Sequence, residues 1–432
     1  MARRWLILAD DLTGAADCAI AFARRGRSAV VQWGEAGREA QEDVVSHDAD
    51  SRQLGPEAAA SRHAALTERL HRPGAGMFKK IDSTLRGQPA AELAATLDGV
   101  RRRTGRAFGV LAPAFPATGR TTKGGRILVA GRPLEETELW RRDHTYPTGA
   151  LPAMLDGAGL ASTVIDLATV RAGGDALRDA LAAAARDQSV AVLDADEDDD
   201  LARVAAAGLA AAAREGLDES LVWIGSAGLA HALAAAEDAP PAPARTVASG
   251  PGGTLVVVGS LAAVSRAASR RLAAEARMRH VPVAPEWLLA ASEEERTRWR
   301  DAVTARLAVG DDVLVEVSMG NVSTGNISGG EAPDLRLGSR LADALGALLC
   351  PTARHLGGLV ATGGETAAAL LAHFGVDGLA LIDEIEPGVS LGLTRGRIAV
   401  PIVTKAGAFG TEDTLSRAVH HLRAIRHEGS PT

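Results

Sequence analysis

The feature that most limits what this chain can become is a rhythm. Short apolar runs close on Asp, Gly, Ser, Thr or Lys, and an Ala-rich segment of helical length follows. Residues 5–9 end in Asp10-Asp11, 221–224 in Gly225-Ser226, 254–258 in Gly259-Ser260, 358–361 in Thr362-Gly363-Gly364, and 398–403 in Thr404-Lys405. Apolar runs without in-and-out alternation are buried on both faces, and strands that alternate with helices pair in parallel. The fold class is therefore α/β. The rhythm breaks at residues 237–253 (EDAPPAPARTVASGPGG), which carry no apolar period and are rich in Pro, Ala and Gly. At 432 residues the chain is long for one core and suits two. The expectation is a domain over 1–238, a linker over 239–253 and a domain over 254–432. Each would be a mostly parallel sheet flanked by helices, with the active site in the interdomain cleft.

Composition narrows the function. With 46% apolar and 23% charged residues the chain is globular, and aromatics are only 3%, so Ala, Leu and Val on closely packed helices must build the cores. A net charge of -7 argues against nucleic acid as a partner. The one dense cationic run, Arg101-Arg102-Arg103 with Arg106, lacks interleaved aromatics and reads as a solvated loop between a helix and a strand. Cys18 and Cys350 read as small buried apolar residues of a reducing compartment. No apolar segment is long enough for a membrane, and Asp10-Asp11 interrupt any signal peptide, so a cytoplasmic protein is expected.

Lysine is rare here: Lys79, Lys80, Lys123 and Lys405 are the four in the chain. A chain that uses Arg by habit keeps Lys where a compact, mobile charge is needed, and all four are expected to line one cleft. Lys79 to Gly87 (KKIDSTLRG) packs two ammoniums, a carboxylate, two hydroxyls and a guanidinium into nine residues. Asp10 and Asp11 stand where a strand meets a helix, with Thr13 placed to cap it. Two adjacent carboxylates repel unless a cation or a substrate hydroxyl sits between them. The segment 113–134, rich in Pro, Gly, Arg and Lys, is either a lid or a contact between copies in a homo-oligomer. The acidic run 194–200 reads as a solvated helix start rather than a metal site. Residues 261–278 read as one helix. In the C-terminal half, Gly259-Ser260 and Gly363-Gly364-Glu365-Thr366 each follow a strand and open a helix. Glycine lets the backbone approach a ligand, and helix-start amides favour an anion. With Lys405, Gly407 and Gly410 in a third loop, several phosphates could be held together, which points to a nucleotide. Neither a P-loop nor a complete dinucleotide fingerprint is present.

These segments together resemble the four-carbon acid sugar kinase family: ADDLTGA at 9–15, KIDSTLRG at 80–87, PAFP at 113–116 with Gly119-Arg120, GSAGLA at 225–230, GGET at 363–366 and KAGAFG at 405–410. The resemblance runs in order over nearly the whole chain. It departs at 261–266, which lacks the Thr and Gln common there, and at Ala406 and Ala408. It implies an N-terminal sugar-acid domain, a C-terminal nucleotide domain and ATP with Mg2+ as cofactors. The expected reaction is phosphorylation of the C4 hydroxyl of 3-oxo-tetronate, threonate or erythronate. On this reading Lys80, Arg86 and Arg120 hold the substrate carboxylate, with Thr13 and Ser83 beside them. Asp10, Asp11 and Asp82 orient hydroxyls, Asp11 accepts the proton, and Ser260, Gly363 to Thr366, Lys405, Gly407 and Gly410 cradle ATP. The competing readings are a non-catalytic sugar-acid sensor, an NAD-dependent hydroxy-acid dehydrogenase and a ribokinase-like kinase, the last lacking its late Gly-Ala-Gly-Asp string.

Overall fold

A computed structural model describes residues 3–34, 40–143, 146–237, 250–259, 262–318, 335–407 and 409–428. Residues 239–249 of the expected linker, and Ser260, lie outside the described residues. The chain divides into two compact units, Met1–Ala242 and Pro243–Thr432.

The first unit contains β1 (Trp5–Ala9), β2 (Ala29–Trp33), β3 (Val44–Asp48), β4 (Gly76–Lys80), β5 (Phe108–Ala112), β6 (Arg120–Lys123), β7 (Arg126–Val129), β8 (Arg132–Pro133), β9 (Ser162–Ile165), β10 (Val190–Leu193) and β11 (Leu221–Gly225). Its main sheet runs β2-β3-β1-β4-β11-β5-β10-β9 and is parallel throughout. Parallel register carries the C-terminal ends to one edge: Ala9 pairs with Asp48, and Gly225 with Lys80. Strand ends in such sheets are where ligands bind. On one face Trp5 packs against Phe22 of the helix Leu12–Ala23, ring centroids 5.3 Å apart. Leu6, Leu8, Leu93, Leu97 and Val222 share a core cluster on the other.

The second unit contains β12 (Gly253–Val258), β13 (Met278–Val283), β14 (Asp312–Val317), β15 (Leu356–Thr362), β16 (Val376–Glu386), β17 (Val389–Gly396) and β18 (Pro401–Lys405). The order is β13-β14-β12-β15-β18-β17-β16, parallel from β13 to β18 and antiparallel beyond. The β16–β17 hairpin is not foreseen by the strand–helix rhythm. It turns at Gly388, whose φ is +78°, and its apolar residues do not alternate cleanly.

Several local expectations are corrected. Residues 261–278 are not one helix: the helix spans Ala263–Ala273 and Met278 begins β13. Arg101–Arg103 are not a loop but the last turn of the helix Pro89–Thr104, where cations complement the helix dipole before Gly105 ends it at φ +82°. The acidic run does start a helix, yet it is not wholly solvated. Asp194 is buried and accepts from the Gly124 and Gly125 amides, and Asp200 is buried against Arg171. The Asp194 bonds pin the turn between β6 and β7, which with β8 form a small antiparallel sheet. Cys18 is buried as expected, but Cys350 is only partly so.

Candidate active site

The helix after β1 starts at Leu12, earlier than the sequence suggests, and Asp11 rather than Thr13 is its cap. Asp11 Oδ1 accepts from the Gly14 amide at 3.0 Å, while Thr13 Oγ1 donates to Asp11 Oδ2 at 2.7 Å. Capping aims this carboxylate along the sheet edge, where two cations meet it. Arg52 donates through Nε to Asp10 Oδ2 (2.7 Å) and through Nη1 to Asp11 Oδ2 (2.6 Å). Lys80 Nζ lies 3.2 Å from both Asp10 Oδ1 and Asp11 Oδ1. The repulsion that the Asp pair implies is thus relieved by cations of the protein itself.

Asp82 completes the cluster. Arg86 grips it with Nε at 3.0 Å and Nη2 at 2.7 Å, and Arg52 Nη2 stands 3.7 Å away. The same carboxylate accepts from the Thr84 amide and hydroxyl. These bonds stabilise a turn in which Leu85, buried, takes φ +59°, a left-handed conformation costly for a branched side chain. Two glycines make the packing feasible. A Cβ on Gly14 would sit 2.1 Å from Lys80 Nζ, and one on Gly87 would sit 3.2 Å from Asp10 Oδ2.

Burial alone would raise the Asp10, Asp11 and Asp82 carboxyls. For Asp10 and Asp11 the charges of Arg52 and then Lys80 overcome it, and for Asp82 those of Arg86 and then Arg52 do, so all three fall below the ordinary range. Burial would likewise lower Lys80, but Asp10 and Asp11 hold it above its usual value, so it stays charged. Arg120 lies in the field of Asp82 and Arg86, with burial lowering it first. Ser83 is buried beside them. Asp10, Asp11, Thr13, Lys80, Asp82, Ser83, Arg86 and Arg120 are therefore one neighbourhood.

Two lysines leave the expected set. Lys79 turns to the opposite face of β4, where its Nζ lies 2.8 Å from Glu92 Oε2, because successive strand residues point opposite ways. Lys123 is exposed at the end of β6. Two residues enter it instead. Arg52 was visible only as part of a loop after β3; its reach to Asp10 depends on the Ser51 and Arg52 amides bonding Asp10 O (3.1 and 3.2 Å). Asp48, at the end of β3, is buried with no ion pair among the described residues, and accepts from the Asp50 amide at 2.7 Å. Burial, reinforced by the nearby negative charge of Asp11, Asp50 and Asp10, pushes its carboxyl up to about 8.

In the second unit three strand ends are neighbours, since Val258 pairs with Thr362 and Thr362 with Lys405. Gly363 (φ +89°) precedes the helix Gly364–His373, which has no side-chain cap, so its first amides are not taken by the preceding side chain. A Cβ on Gly259 would meet Thr366 Oγ1 at 2.1 Å. Lys405 Nζ donates to Ser265 Oγ and Ala406 O, both at 3.0 Å, and burial, partly offset by Glu386, lowers it to about 8. Gly410 (φ +86°) closes its loop near Glu386 and Thr414, while Glu365 is exposed in the first helical turn. Close backbone approach, uncapped amides and one ammonium form a cradle suited to phosphates. Among the described residues no group of three or more His, Cys, Asp or Glu is arranged to hold a metal, and no helix is long and apolar enough to cross a membrane.

Comparison with known proteins matches both units. Residues 5–233 match the sugar-binding N-terminal domain family, and residues 255–415 the nucleotide-binding C-terminal domain family. The chain is 41% identical to the D-threonate kinase of Cupriavidus necator, over 96% of this chain and 97% of that protein. It is 35% identical to the D-threonate kinase of Bordetella bronchiseptica, over 97% and 98%. More distant relatives are named D-erythronate kinase and 3-oxo-tetronate kinase. A crystal structure from Salmonella typhimurium, described as a tRNA synthase, superposes with a TM-score of 0.78 over 96% of this chain and 98% of that one. Its 23% identity carries the fold alone. The chain belongs to the four-carbon acid sugar kinase family.

Proposed function

We propose that this protein is an ATP-dependent kinase that phosphorylates the C4 hydroxyl of a four-carbon acid sugar, with D-threonate the first substrate to test. One observation carries the reading: the Asp10-Asp11-Asp82 carboxylates held against Arg52, Lys80 and Arg86 at the strand ends of the sugar-binding unit. A small polyhydroxy acid offers such a cluster what it lacks, hydroxyl donors for the carboxylates and a carboxylate for the cations. Arg86 and Arg120, with Lys80, take the substrate carboxylate, Arg86 through its planar fork. Asp10 and Asp82 orient hydroxyls. Asp11 accepts the C4 proton; its low proton affinity is tolerable because phosphoryl transfer depends on positioning and charge neutralisation more than on a strong base.

ATP bound with Mg2+ would supply the transferable phosphoryl group, and the metal would neutralise phosphate charge. The Gly363 to Thr366 turn, Gly259 and Lys405 hold those phosphates, and Gly407 and Gly410 keep their loop close. Ser260 remains part of this proposal from the sequence alone. An ATP-consumption assay over D-threonate, L-threonate, D-erythronate and 3-oxo-tetronate, beside an NAD-reduction assay, tests the reading. ADP release with no four-carbon acid, or NAD reduction instead, sinks it.

Asp48 supports a second assignment of the base. Its affinity for a proton is the highest among the clustered carboxyls, and it is the last residue of β3, pairing with Ala9 just before Asp10 and Asp11. If it takes the proton, turnover climbs through pH 8 in the wild type and loses that limb in Asp48→Asn. If Asp11 does, Asp48→Asn leaves the pH profile intact.

A further inference from the structure

On the far face of the first unit's sheet a second polar group is closed off from water. Ser51, His63 and Lys79 are inaccessible, and Glu92 is 1% exposed. Glu92 Oε1 accepts from Ser51 Oγ at 2.6 Å, and Oε2 takes Lys79 Nζ at 2.8 Å. His63 Nε2 lies 3.1 Å from Ser51 Oγ and 3.5 Å from Glu92 Oε2. The serine proton is committed to Glu92, so His63 donates through Nε2, and its Nδ1, which has no partner among the described residues, keeps a lone pair. Burial, then the charge of Lys79, holds His63 well below its usual range, so it is neutral. A Ser, a His and a Glu in contact suggest a nucleophile, but no substrate reaches a buried Ser51, and its proton goes to the carboxylate rather than to the imidazole.

What these residues adjoin is more informative. Ser51 precedes Arg52, and Lys79 precedes Lys80. Each is the chain neighbour of a cation that grips Asp10 and Asp11 from the other side. Lys79 Nζ also donates to the Lys80 carbonyl at 2.7 Å. One carboxylate, carried on the helix Pro89–Thr104, thus ties down the backbone behind both site cations.

We infer that Glu92 is a positioning residue: by bonding Ser51 and Lys79 at once, it sets the spacing between Arg52 and Lys80 on which sugar-acid binding depends. The kinetic part of this inference rests on the kinase reading; the geometric part does not. Removing Glu92 outright would leave a buried ammonium unpaired, so the tests are Glu92→Gln and the charge-neutral double variant Lys79→Met/Glu92→Gln. A displacement near 1 Å can cost on the order of a hundredfold. In Glu92→Gln the sugar-acid KM is expected to rise at least about tenfold, with the ATP KM within about twofold. The double variant regains melting temperature but not KM.

Acetylation of the native protein followed by peptide mass spectrometry reads the same point without catalysis, because the chain has four lysines to map. Lys80, 6% exposed, is expected to label several-fold faster in Glu92→Gln, with Lys405 unchanged as control. A lower melting temperature with sugar-acid KM and Lys80 labelling at wild-type values makes Glu92 merely structural and overturns the proposal. So does faster labelling with unchanged KM. If the wild type phosphorylates no four-carbon acid, the functional reading fails, and labelling alone decides whether Glu92 positions Lys80.

Discussion

The strand-end clusters of the two units solve opposite electrostatic problems. In the first, Asp10, Asp11 and Asp82 are already matched by Arg52, Lys80 and Arg86; Asp10, Lys80 and Asp82 are buried, while Asp11, Arg52 and Arg86 are partly exposed. In the second, Lys405 leans on a hydroxyl and carbonyls, beside helix-start amides and two glycine approaches. A matched cluster recognises by exchange: a ligand binds only if its hydroxyls and carboxylate replace partners already present, which favours geometry over charge. A cradle of amides with one ammonium attracts any compact polyanion. If the proposed roles hold, selectivity among four-carbon acids is expected of the first unit and phosphate affinity of the second.

The largest effect should come from breaking the match. Arg52→Ala leaves Asp10 and Asp11 facing each other with Lys80 alone, and removing one partner from a buried ion pair costs about 3–5 kcal/mol. Calorimetry should show a drop of roughly 10 °C in the first unit's transition, given about 2–4 °C per kcal/mol for a unit of this size. An unchanged melting profile means the cluster is not a stabilising match. Asp11→Asn keeps the helix cap and should lower turnover by about 10²–10³ while ATP KM stays within about twofold; wild-type turnover removes Asp11 from the chemistry.

Smaller effects are expected from the second unit. Thr366→Ala should raise ATP KM about tenfold, close to 1.4 kcal/mol, with sugar-acid KM untouched. If both constants move together, the division of labour is wrong. The mildest test is pH. Lys405 is charged below about 8 and neutral above it, so ATP KM should rise as pH passes 8, and Lys405→Arg should flatten that rise. Linkage has the opposite sign for the ligand-free fold. A lysine whose folded value is depressed binds fewer protons folded than unfolded between about 8 and its ordinary value of 10.5. Stability should therefore gain slightly across that window, which denaturant titration at pH 7.5 and 10 can measure.

How much was legible in the chain depends on the range of the interaction. The strand–helix alternation, the concentration of polar groups over Lys79 to Gly87 and the glycine turn at 363 are local and legible in the chain. The helix Pro56–Leu70 is local in the same sense, with Pro56 at its first position. Arg52 was missed because its partners are more than forty residues away and no spacing rule links them. Lys79 was misplaced for a subtler reason: Lys79 and Lys80 look alike in sequence, and only the face each occupies in β4 separates a structural ion pair from a site cation. Arg101–Arg103 look like a solvated loop by charge alone, but Gly105, shortly after them, ends the helix they belong to.

Residue order alone determined the α/β class, the carboxylates and cations that gather at strand ends, and the glycines that let backbone approach a ligand. Those follow from backbone sterics and short-range periodicity. Which carboxylate meets which cation, and which one is left without a counter-ion, was decided only by packing. Three strands brought into parallel register place Asp10, Asp48 and Lys80 at one edge, and at such distances in a dry site charge outweighs local preference. Asp48 and Asp11 are the same side chain; the neighbours that the fold supplies make one hold its proton and the other give it up.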